Sequence, residues 1–444
     1  MIKKAVLIAS DKSGSGKSLF TLFLSRYFSG NHKAVLPFKC GPDYIDTLHL
    51  KYATGNNAYN LDTILVSPDR VKSIFLSNLN KSDIAVIEGV MGFYDGIDYK
   101  TFSGSTYEIA KLLNVPIILV LDVSSTSFTV AARVNGLINL GENINVAGVI
   151  LNNVGSKRHE KMLTDAIEYH TGIKVFGAIP KLQNLNLSSR HLGIYTALET
   201  KESFYDEIVD TFLNYVDVNQ IYENINYNCE KVSLFGASQI KKDKKAYIAF
   251  DEAFNFYYQD NIDFLEENGY QIINFSPLKN ELPENPDFIY FGGGYPELFA
   301  EKLSNNKELK AYIRKVSKQG IPIFAECGGM MFLSKGVQVG DNFFEMCNVF
   351  NVTVEMTDKR QALGYIKATA LKKTNFFDKA DCFVGHEFHY SKVKDCLEEY
   401  VFKITKLTSG EEYRDGFVNN NTLACYTHFH FLSDNCIIKK IIRR

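Results

Sequence analysis

Lys12-Ser13-Gly14-Ser15-Gly16-Lys17-Ser18 is the stretch of this 444-residue chain that decides the fold of its first half. The apolar run Ala5–Ile8 precedes it and a helical pattern follows, so a glycine-rich loop joins a strand to a helix. In such a P-loop, backbone amides surround phosphate oxygens and the lysine reaches the outer phosphates. A glycine- and serine-rich turn without function is the alternative. The predicted ATP-binding residues are Gly14, Ser15, Gly16, Lys17 and Ser18.

The first half of the chain alternates short apolar runs with helical stretches. The runs are continuously apolar and rich in β-branched residues, which is typical of parallel strands covered by helices on both faces. We therefore predict an α/β fold with a doubly wound, mostly parallel sheet and with sites at the carboxyl ends of its strands. The predicted strands are Ala5–Ile8, Ala34–Phe38, Ile84–Ile87, Ile117–Leu121 and Val146–Leu151.

The periodicity weakens around residues 215–245 into sequence rich in Asn, Lys and Asp, which is typical of a domain boundary. We predict an ATP- and substrate-binding P-loop domain at residues 1–220, a linker at 221–244 and a second α/β domain at 245–444. The second domain opens with the predicted strands Ala246–Phe250, Gln271–Phe275, Phe288–Phe291 and Ile321–Phe324.

Two carboxylates, Glu88 and Asp95, follow the predicted strand Ile84–Ile87. Carboxylate oxygens at a strand end beside a P-loop are typical ligands of Mg²⁺, directly or through water. We therefore predict that Glu88 and Asp95, together with the Ser18 hydroxyl, hold Mg²⁺. The alternative is a Glu88 that caps a helix and an Asp95 that forms a turn.

The second domain carries a nucleophile signature, Ala325-Glu326-Cys327-Gly328-Gly329, directly after the predicted strand Ile321–Phe324. A strand, a tight turn at the cysteine and a helix form a nucleophile elbow. We expect the helix amino terminus to lower the pKa of the Cys327 thiol. Attack of the thiolate on a glutamine amide would give a thioester and release ammonia.

The amide oxygen becomes anionic during this attack, and backbone N–H groups must meet it. The predicted donors are Gly328 and the glycine turn after the strand Phe288–Phe291, with Gly293 and Gly294. A flexible glycine loop is the alternative for that turn.

The predicted catalytic base is His428, which lies in Tyr426-Thr427-His428-Phe429-His430-Phe431 at the end of an apolar run. His430 is a second candidate. An alternating strand residue on the same side as His428 also fits a buried, hydrogen-bonded histidine, so His430 has a structural alternative.

Composition points to small-molecule partners. The formal net charge is −2, from 49 basic and 51 acidic residues that are evenly mixed, so we expect neither a nucleic acid nor a membrane as partner. No apolar run is long enough to span a bilayer, and we expect a cytoplasmic protein. The eight cysteines are scattered without a CxxC pair, which favours neither a zinc cluster nor a disulfide framework.

Together these motifs resemble the cobyrinate a,c-diamide synthase family. The resemblance extends over nearly the whole chain. It is carried by Phe38–Asp46, Asn60–Asp62, Val86–Gly92, Ser189–Gly193, Asp251–Tyr258, Gly292–Glu297 and Gly385–Ser391.

The resemblance implies ATP- and glutamine-dependent amidation of the a and c acetate side chains of cobyrinate in cobalamin biosynthesis, with ammonia as an alternative donor. It also implies an amino-terminal domain like dethiobiotin synthetase and a carboxyl-terminal class I glutamine amidotransferase domain. Members of the same family amidate nickel sirohydrochlorin on the route to coenzyme F430, and that macrocycle is the alternative substrate. Mg²⁺ and ATP would activate the carboxylate as an acyl phosphate.

The loop Lys39–Asp46 combines charge, glycine, proline and an aromatic residue, and substrate contacts usually lie in such loops. Taken alone it is a polar turn. In the context of the resemblance, the predicted substrate-binding residues are Lys39, Asp43, Tyr44 and Asp46.

Typical class I amidotransferases carry a glutamate two residues after the catalytic histidine, where this chain has His430. The family that it resembles works with a Cys-His pair, so we predict that another acceptor, such as a backbone carbonyl, fixes the His428 tautomer. His386, Glu387 and His389 have zinc-ligand side chains, but the resemblance implies a substrate-carboxylate or interdomain role for this stretch.

Two other functions fit part of the chain. The P-loop superfamily includes dimeric partitioning ATPases, and Lys12 lies where some of them place an additional lysine, which also makes a homodimer an expectation. A nucleotide-switched binding protein does not explain Cys327 or His428. A carboxylation of the dethiobiotin type accounts for the first half only.

Overall fold

The computed structural model describes residues 2–182, 185, 189–190, 193–194, 196–229 and 241–442. His191 and Leu192 of the stretch Ser189–Gly193, and residues 230–240 of the predicted linker, lie outside the described residues. The chain divides into two compact units. The first comprises Met1–Thr63 and Ser67–Leu234, and the second comprises Ile64–Val66 and Phe235–Arg444.

The first unit is built on a mainly parallel sheet with the strand order β3-β2-β4-β1-β5-β6-β7, and β10 pairs antiparallel with the start of β1. Its strands are β1 (Ile2–Ala9), β2 (Val35–Cys40), β3 (Tyr59–Leu61), β4 (Ile84–Glu88), β5 (Pro116–Asp122), β6 (Asn145–Val154), β7 (Val175–Pro180), β8 (Ser189–Arg190), β9 (Gly193–Ile194) and β10 (Asn226–Asn228). Its helices are α1 (Lys17–Gly30), α2 (Ile45–Thr54), α3 (Pro68–Leu79), α4 (Thr106–Leu113), α5 (Thr129–Asn139), α6 (Lys157–Thr171), α7 (Ser203–Phe212) and α8 (Val218–Asn224), with a 3₁₀ turn at Ala197–Glu199.

Strand β1 lies in the middle of this sheet, between β4 and β5, and both neighbours run parallel to it. Residues Ala5–Ala9 are fully buried, as a continuously apolar central strand requires. Because parallel strands end at one edge of a sheet, Glu88 at the end of β4 and Asp122 at the end of β5 lie at the edge where the loop after β1 begins. The sheet order thus collects the candidate nucleotide residues at one edge.

The second unit has a sheet of strand order β12-β11-β13-β14-β24-β23, parallel except for the pair β23–β24, and two further sheets of order β16-β15-β17-β20 and β22-β21-β18-β19-β25. Its strands are β11 (Lys244–Ala249), β12 (Tyr270–Phe275), β13 (Phe288–Phe291), β14 (Ile323–Glu326), β15 (Gly336–Val339), β16 (Asn342–Glu345), β17 (Val352–Met356), β18 (Ala362–Ala370), β19 (Cys382–His389), β20 (Ser391–Cys396), β21 (Phe402–Lys406), β22 (Glu412–Asp415), β23 (Phe417–Asn419), β24 (Thr422–Cys425) and β25 (His428–Phe429). Its helices are α9 (Gln259–Glu267), α10 (Ala300–Asn305), α11 (Lys307–Lys318), α12 (Gly328–Leu333) and α13 (Lys439–Ile442), with 3₁₀ turns at Pro277–Lys279 and Pro296–Phe299.

Both faces of the parallel sheet in the second unit are covered. Successive residues of β11 enter different cores: Tyr247 packs with residues of α10, α11 and α12, whereas Ile248 packs with residues of α9, β18 and β21. In β13, Phe291 belongs to the first core and Tyr290 to the second. This two-sided burial explains why the strands read as continuous apolar runs rather than as alternating ones.

Among the residues with a described position, no helix combines the length and apolar character that crossing a membrane requires.

Candidate active site

The loop between β1 and α1 has the backbone of a phosphate-binding loop. Gly14 and Gly16 have φ angles of +76° and +99°, in the region that favours glycine. A Cβ on Gly16 would lie 2.4 Å from Asn152 Nδ2, and that amide donates to the carbonyl of Ser15 at 2.9 Å. The end of β6 therefore packs against the loop and leaves no room for a side chain at Gly16.

Lys17 begins α1 and is buried at the loop, with 7% of the residue exposed. Its Nζ donates to Ser10 Oγ at 2.8 Å and to the carbonyl of Met91 at 2.7 Å. Burial, followed by the nearby Lys39 ammonium, lowers the pKa of Lys17 to about 8. A phosphate anion at the loop would counter both effects and favour the charged lysine.

A chain of charged contacts runs from α1 to the loop after β2. Ser18 Oγ donates to Glu88 Oε1 at 2.6 Å, and Lys39 Nζ donates to the same oxygen at 2.8 Å and to Asp46 Oδ2 at 2.5 Å. Burial and then the Asp46 carboxylate raise the pKa of Glu88 to about 7, against the opposing effect of Lys39. Burial disfavours charge on Asp46 as well, but Lys39 outweighs it and holds the Asp46 pKa below its usual range.

Ser18 and Glu88 fit the predicted Mg²⁺ site, because their hydroxyl and carboxylate oxygens lie together and hard oxygen ligands suit this ion. Asp95 is exposed, and its Oδ2 accepts from Gly92 N at 2.8 Å within its own turn. The turn-forming alternative therefore describes Asp95 as it stands in the structure.

The four predicted substrate residues divide into two pairs. Lys39 and Asp46 belong to the charged chain with Glu88. Asp43 supports the first turn of α2, since its Oδ1 accepts from Asp46 N at 2.9 Å, and Tyr44 is buried. Burial and then Asp46 raise the pKa of Asp43 to about 6.

Sequence reasoning missed several polar residues around the P-loop. Arg133 of α5 forms an ion pair with Asp11, and Lys12 forms one with Asp122 at 3.1 Å. Asn153 donates to Asp122 at 3.1 Å. Asp122 ends β5 and Asn153 lies near the end of β6, so the rule that sites collect at strand ends was a signal that could have found both.

In the second unit, Cys327 occupies a strained turn between β14 and α12. Its φ is +49° and its ψ is −106°, a conformation that is costly for a residue with a side chain. Cys327 N donates to the carbonyl of Cys425 at 2.8 Å, and α12 begins at the next residue. This is the geometry of a nucleophile elbow, as the sequence predicts.

The thiol itself differs from expectation. Burial, followed by the nearby Glu297 carboxylate, raises the pKa of Cys327 above its usual range, although a hydrogen bond from Gly328 N lowers it in part. Desolvation therefore outweighs the effect of the helix amino terminus on the thiol. The prediction of a lowered pKa for Cys327 was wrong.

The predicted oxyanion glycines lie close to one another. A Cβ on Gly328 would lie 3.1 Å from Gly294 N, and Gly329 N donates to the carbonyl of Gly292 at 3.0 Å. Gly294 has a φ of +153°, and a Cβ there would lie 2.2 Å from the carbonyl of Ala253. The glycine turn is thus packed against the elbow, which the flexible-loop alternative does not explain.

His428 lies on β25, directly opposite His386 of β19, and is 2% exposed. Its ring faces the glycine turn, because a Cβ on Gly293 would lie 2.5 Å from His428 Cε1. Burial, followed by His386 and His389, lowers the pKa of His428 to about 3. A neutral imidazole of this kind can accept a proton from a thiol.

Glu326 is a buried acid that sequence reasoning missed. It precedes Cys327 at the end of β14, and its Oε2 lies 3.9 Å from His428 Nδ1. No sequence signal pointed to Glu326, because it lies about a hundred residues before His428. The usual amidotransferase acid is sought two residues after the histidine.

His430, at that position, is buried instead. Its Nδ1 accepts from Leu432 N at 3.3 Å, and its Nε2 lies 3.4 Å from Asp260 Oδ2. Its surroundings match the buried, hydrogen-bonded alternative.

Glu387, in the stretch Gly385–Ser391, is fully buried. Its carboxylate accepts from Thr427 Oγ1 at 2.7 Å and from the Tyr413 hydroxyl. His389 stacks on Tyr426 with ring centroids 4.0 Å apart. Glu387 thus supports the segment that carries His428, and the expected substrate-carboxylate role does not suit an acid with both oxygens bonded internally.

Two family comparisons cover the two units separately. Residues 6–194 match the CobQ/CobB/MinD/ParA nucleotide binding domain, and residues 245–436 match the CobB/CobQ-like glutamine amidotransferase domain. A cobyrinate a,c-diamide synthase of Caldanaerobacter subterraneus subsp. tengcongensis is 38% identical over 99% of this chain and 98% of its own length. Proteins of that name from Listeria innocua and Picrophilus torridus are 39% and 38% identical over 98% and 99% of this chain, and 98% of each relative is covered.

The chain belongs to the cobyrinate a,c-diamide synthase family. Membership of the cobyrinate a,c-diamide synthase family confirms the resemblance, the fold class of a P-loop domain followed by a class I glutamine amidotransferase domain, and the interpretation as a glutamine-dependent, amide-forming ligase. The individual site residues, the domain limits and the homodimer stay predictions.

Gly293→Ala tests the contact between the glycine turn and His428. The new Cβ would lie 2.5 Å from Cε1 and 3.1 Å from Nε2 of the imidazole, so the ring must move. We expect glutamine hydrolysis to fall on the order of 10²-fold, because catalysis is sensitive to shifts of about 1 Å. Amidation with free ammonia should be unchanged.

Gly136→Ala is the matched control, since a Cβ there meets nothing within 4 Å in helix α5. It should leave glutamine hydrolysis unchanged and stabilise the helix by up to ~1 kcal/mol. Wild-type glutamine hydrolysis in a folded Gly293→Ala protein would contradict the placement of His428.

Proposed function

We propose that the chain amidates the a and c acetate carboxylates of cobyrinate in cobalamin biosynthesis, with glutamine as nitrogen donor and Mg²⁺-ATP as energy source. The observation that carries the proposal is the presence of two chemical centres in one chain: a P-loop with Lys17, and a nucleophile elbow at Cys327 with His428. The full-length relatives named cobyrinate a,c-diamide synthase support the substrate. Nickel sirohydrochlorin is the alternative substrate.

In the glutamine centre, His428 accepts the thiol proton while Cys327 attacks the amide carbon of glutamine. The N–H groups of Gly328 and Gly294 stabilise the anionic oxygen. Ammonia leaves with a proton from His428, and water then hydrolyses the thioester to release glutamate.

In the nucleotide centre, the backbone N–H groups of the P-loop bind the β- and γ-phosphates, and Lys17 neutralises the developing charge. An acetate carboxylate of the macrocycle attacks the γ-phosphorus and displaces ADP, giving an acyl phosphate. Mg²⁺ held by Ser18 and Glu88, with Asp95 as the third predicted ligand, would supply charge neutralisation at the phosphates. Ammonia then attacks the acyl carbon and displaces phosphate.

Lys39, Asp43, Tyr44 and Asp46 would position the reacting carboxylate. Lys39 donates to both Glu88 and Asp46, so it links the proposed metal ligand to the substrate loop. Correct placement matters because a well-oriented intramolecular reaction gains several kcal/mol over a free encounter, roughly 7–11 in the best cases.

Cys327→Ser tests whether the two centres act independently. We expect glutamine-dependent amidation to be lost while free ammonia at high concentration still supports amide formation, because the serine hydroxyl is a far weaker nucleophile in this setting. The measurement is amide product and glutamate release with each nitrogen donor. Loss of both activities in a folded variant would refute the division of labour, and absence of glutamate release from the wild type would favour a nucleotide-switched binding protein.

Lys17→Ala tests the nucleotide centre. Amidation with either nitrogen donor should fall on the order of 10²- to 10³-fold, since a charge that stabilises the transferring phosphoryl group is lost. Some glutamine hydrolysis should remain. Lys174→Ala, which removes a surface ammonium 3.1 Å from Glu168, is the control and should behave as wild type. Amide formation without nucleotide turnover would exclude the acyl phosphate.

The macrocycle is identified by offering cobyrinate and nickel sirohydrochlorin side by side with ATP and glutamine, and by following the products by mass spectrometry. We expect two new amides on cobyrinate. Two new amides on nickel sirohydrochlorin alone would assign the chain to the alternative substrate.

A further inference from the structure

His428 needs an acceptor for one ring nitrogen if the other is to take the thiol proton. The position two residues later is occupied by His430, which cannot serve as a carboxylate. Glu326 lies on a different strand but close in space, with Oε2 3.9 Å from His428 Nδ1, and the side chains of both residues are 2% exposed. An acid therefore lies beside the catalytic histidine although the sequence around that histidine has none.

The Glu326 carboxylate is held in place as an acceptor. Its Oε1 accepts from Phe429 N at 2.7 Å, and its Oε2 accepts from the Tyr290 hydroxyl at 2.5 Å. Burial raises the pKa of Tyr290 well above its usual range, so this hydroxyl stays protonated and remains a donor. Because Phe429 directly follows His428, the first bond ties the carboxylate to the strand that carries the imidazole.

Of the titratable groups described around Glu326, one can become positively charged. Among the described residues, its titratable neighbours on the surrounding strands and loops are two tyrosine hydroxyls, two thiols and one imidazole: Tyr290, Tyr257, Cys327, Cys425 and His428. None of these is a lysine or an arginine. Protonation of His428 would therefore create the positive charge that this buried carboxylate lacks.

We propose that Glu326 is the positioning residue of His428. Its carboxylate accepts the Nδ1–H of the imidazole, which directs the Nε2 lone pair to the Cys327 proton, and it stabilises the imidazolium that forms. The proposal rests on the proposed roles of Cys327 and His428. The distance of 3.9 Å must shorten by about 1 Å for a hydrogen bond, and catalytic hydrogen bonds are often long before substrate binds.

The proposal sets a pH dependence. Burial raises the pKa of Glu326 to about 8, against the opposing bonds from Phe429 and Tyr290. Below this pH the acid is protonated and is a weak acceptor, whereas above it the carboxylate is ionised and supports the imidazolium. We therefore expect kcat for glutamine hydrolysis to rise as the pH passes through about 8.

Glu326→Gln is the decisive variant. We expect kcat for glutamine hydrolysis to fall on the order of 10²- to 10⁴-fold with little change in the KM for glutamine, because the tautomer and the charge of the acceptor are lost. The rise of kcat near pH 8 should disappear. Amidation with free ammonia should match the wild type, which reports that the nucleotide centre is intact.

Alkylation of Cys327 by iodoacetamide, followed by peptide mass spectrometry, gives a second readout that a merely structural role would not move. The pH at which half of the thiol reacts should be higher in Glu326→Gln, since the imidazolium that favours the thiolate is no longer stabilised. Glu326→Asp keeps the charge but moves it away from His428, because its side chain is one methylene shorter. It should show an intermediate kcat and retain a pH-dependent rise.

His430→Gln is the matched control, a buried histidine in the same segment whose partners are Leu432 and Asp260. It should keep the wild-type pH profile. Wild-type kcat and pH profile in both Glu326 variants, together with an inactive Cys327→Ser, would overturn the role of Glu326 alone. Glutamine hydrolysis that survives in Cys327→Ser would overturn the proposed function instead.

Discussion

The strained turn at Cys327 is the constraint on which the glutamine centre depends. A φ of +49° persists at a residue with a side chain only when the surroundings fix it. Here backbone bonds do so, from Cys327 N to Cys425 O on one side and from Gly329 N to Gly292 O on the other. The same parallel sheet therefore fixes the nucleophile, the glycine turn and the strand that leads to His428. The spacing of these groups follows from strand order rather than from loop conformation.

The nucleotide centre contains buried charges that are paired with one another. In the nucleotide centre Lys39 is held between Glu88 and Asp46, with side-chain exposures of 5%, 2% and 14%. Removing one partner of such a buried pair costs on the order of 3–5 kcal/mol, because the other charge stays in a poorly solvated place. Lys39 therefore stabilises the first unit, so loss of this side chain would affect folding as well as the proposed binding of substrate.

Sequence patterns located the functional residues that lie in short local motifs. Lys17 and Cys327 lie in strand-loop-helix patterns with short-range signatures, and both lie where those signatures place them. Glu326 could not be found in this way, because only the pairing of β14 with β24 and the path to β25 bring it to His428. Most of the strands after Gly336 were also missed, since half-buried strands carry weaker patterns than strands buried on both faces.

The resting glutamine centre is neutral, and this bears on how hydrolysis is controlled. Burial raises the pKa of Cys327 and lowers that of His428 to about 3, so the pair exists as thiol and uncharged imidazole. A buried thiol is a poor nucleophile and resists oxidation, because both reactions proceed through the thiolate. In the proposed mechanism, charge separation is favoured when a bound amide places its oxygen at Gly294 and Gly328, where the developing anion is stabilised as the thiol loses its proton. In this mechanism substrate binding promotes activation of the nucleophile, so the glutamine that supplies the ammonia also favours the ionisation of Cys327.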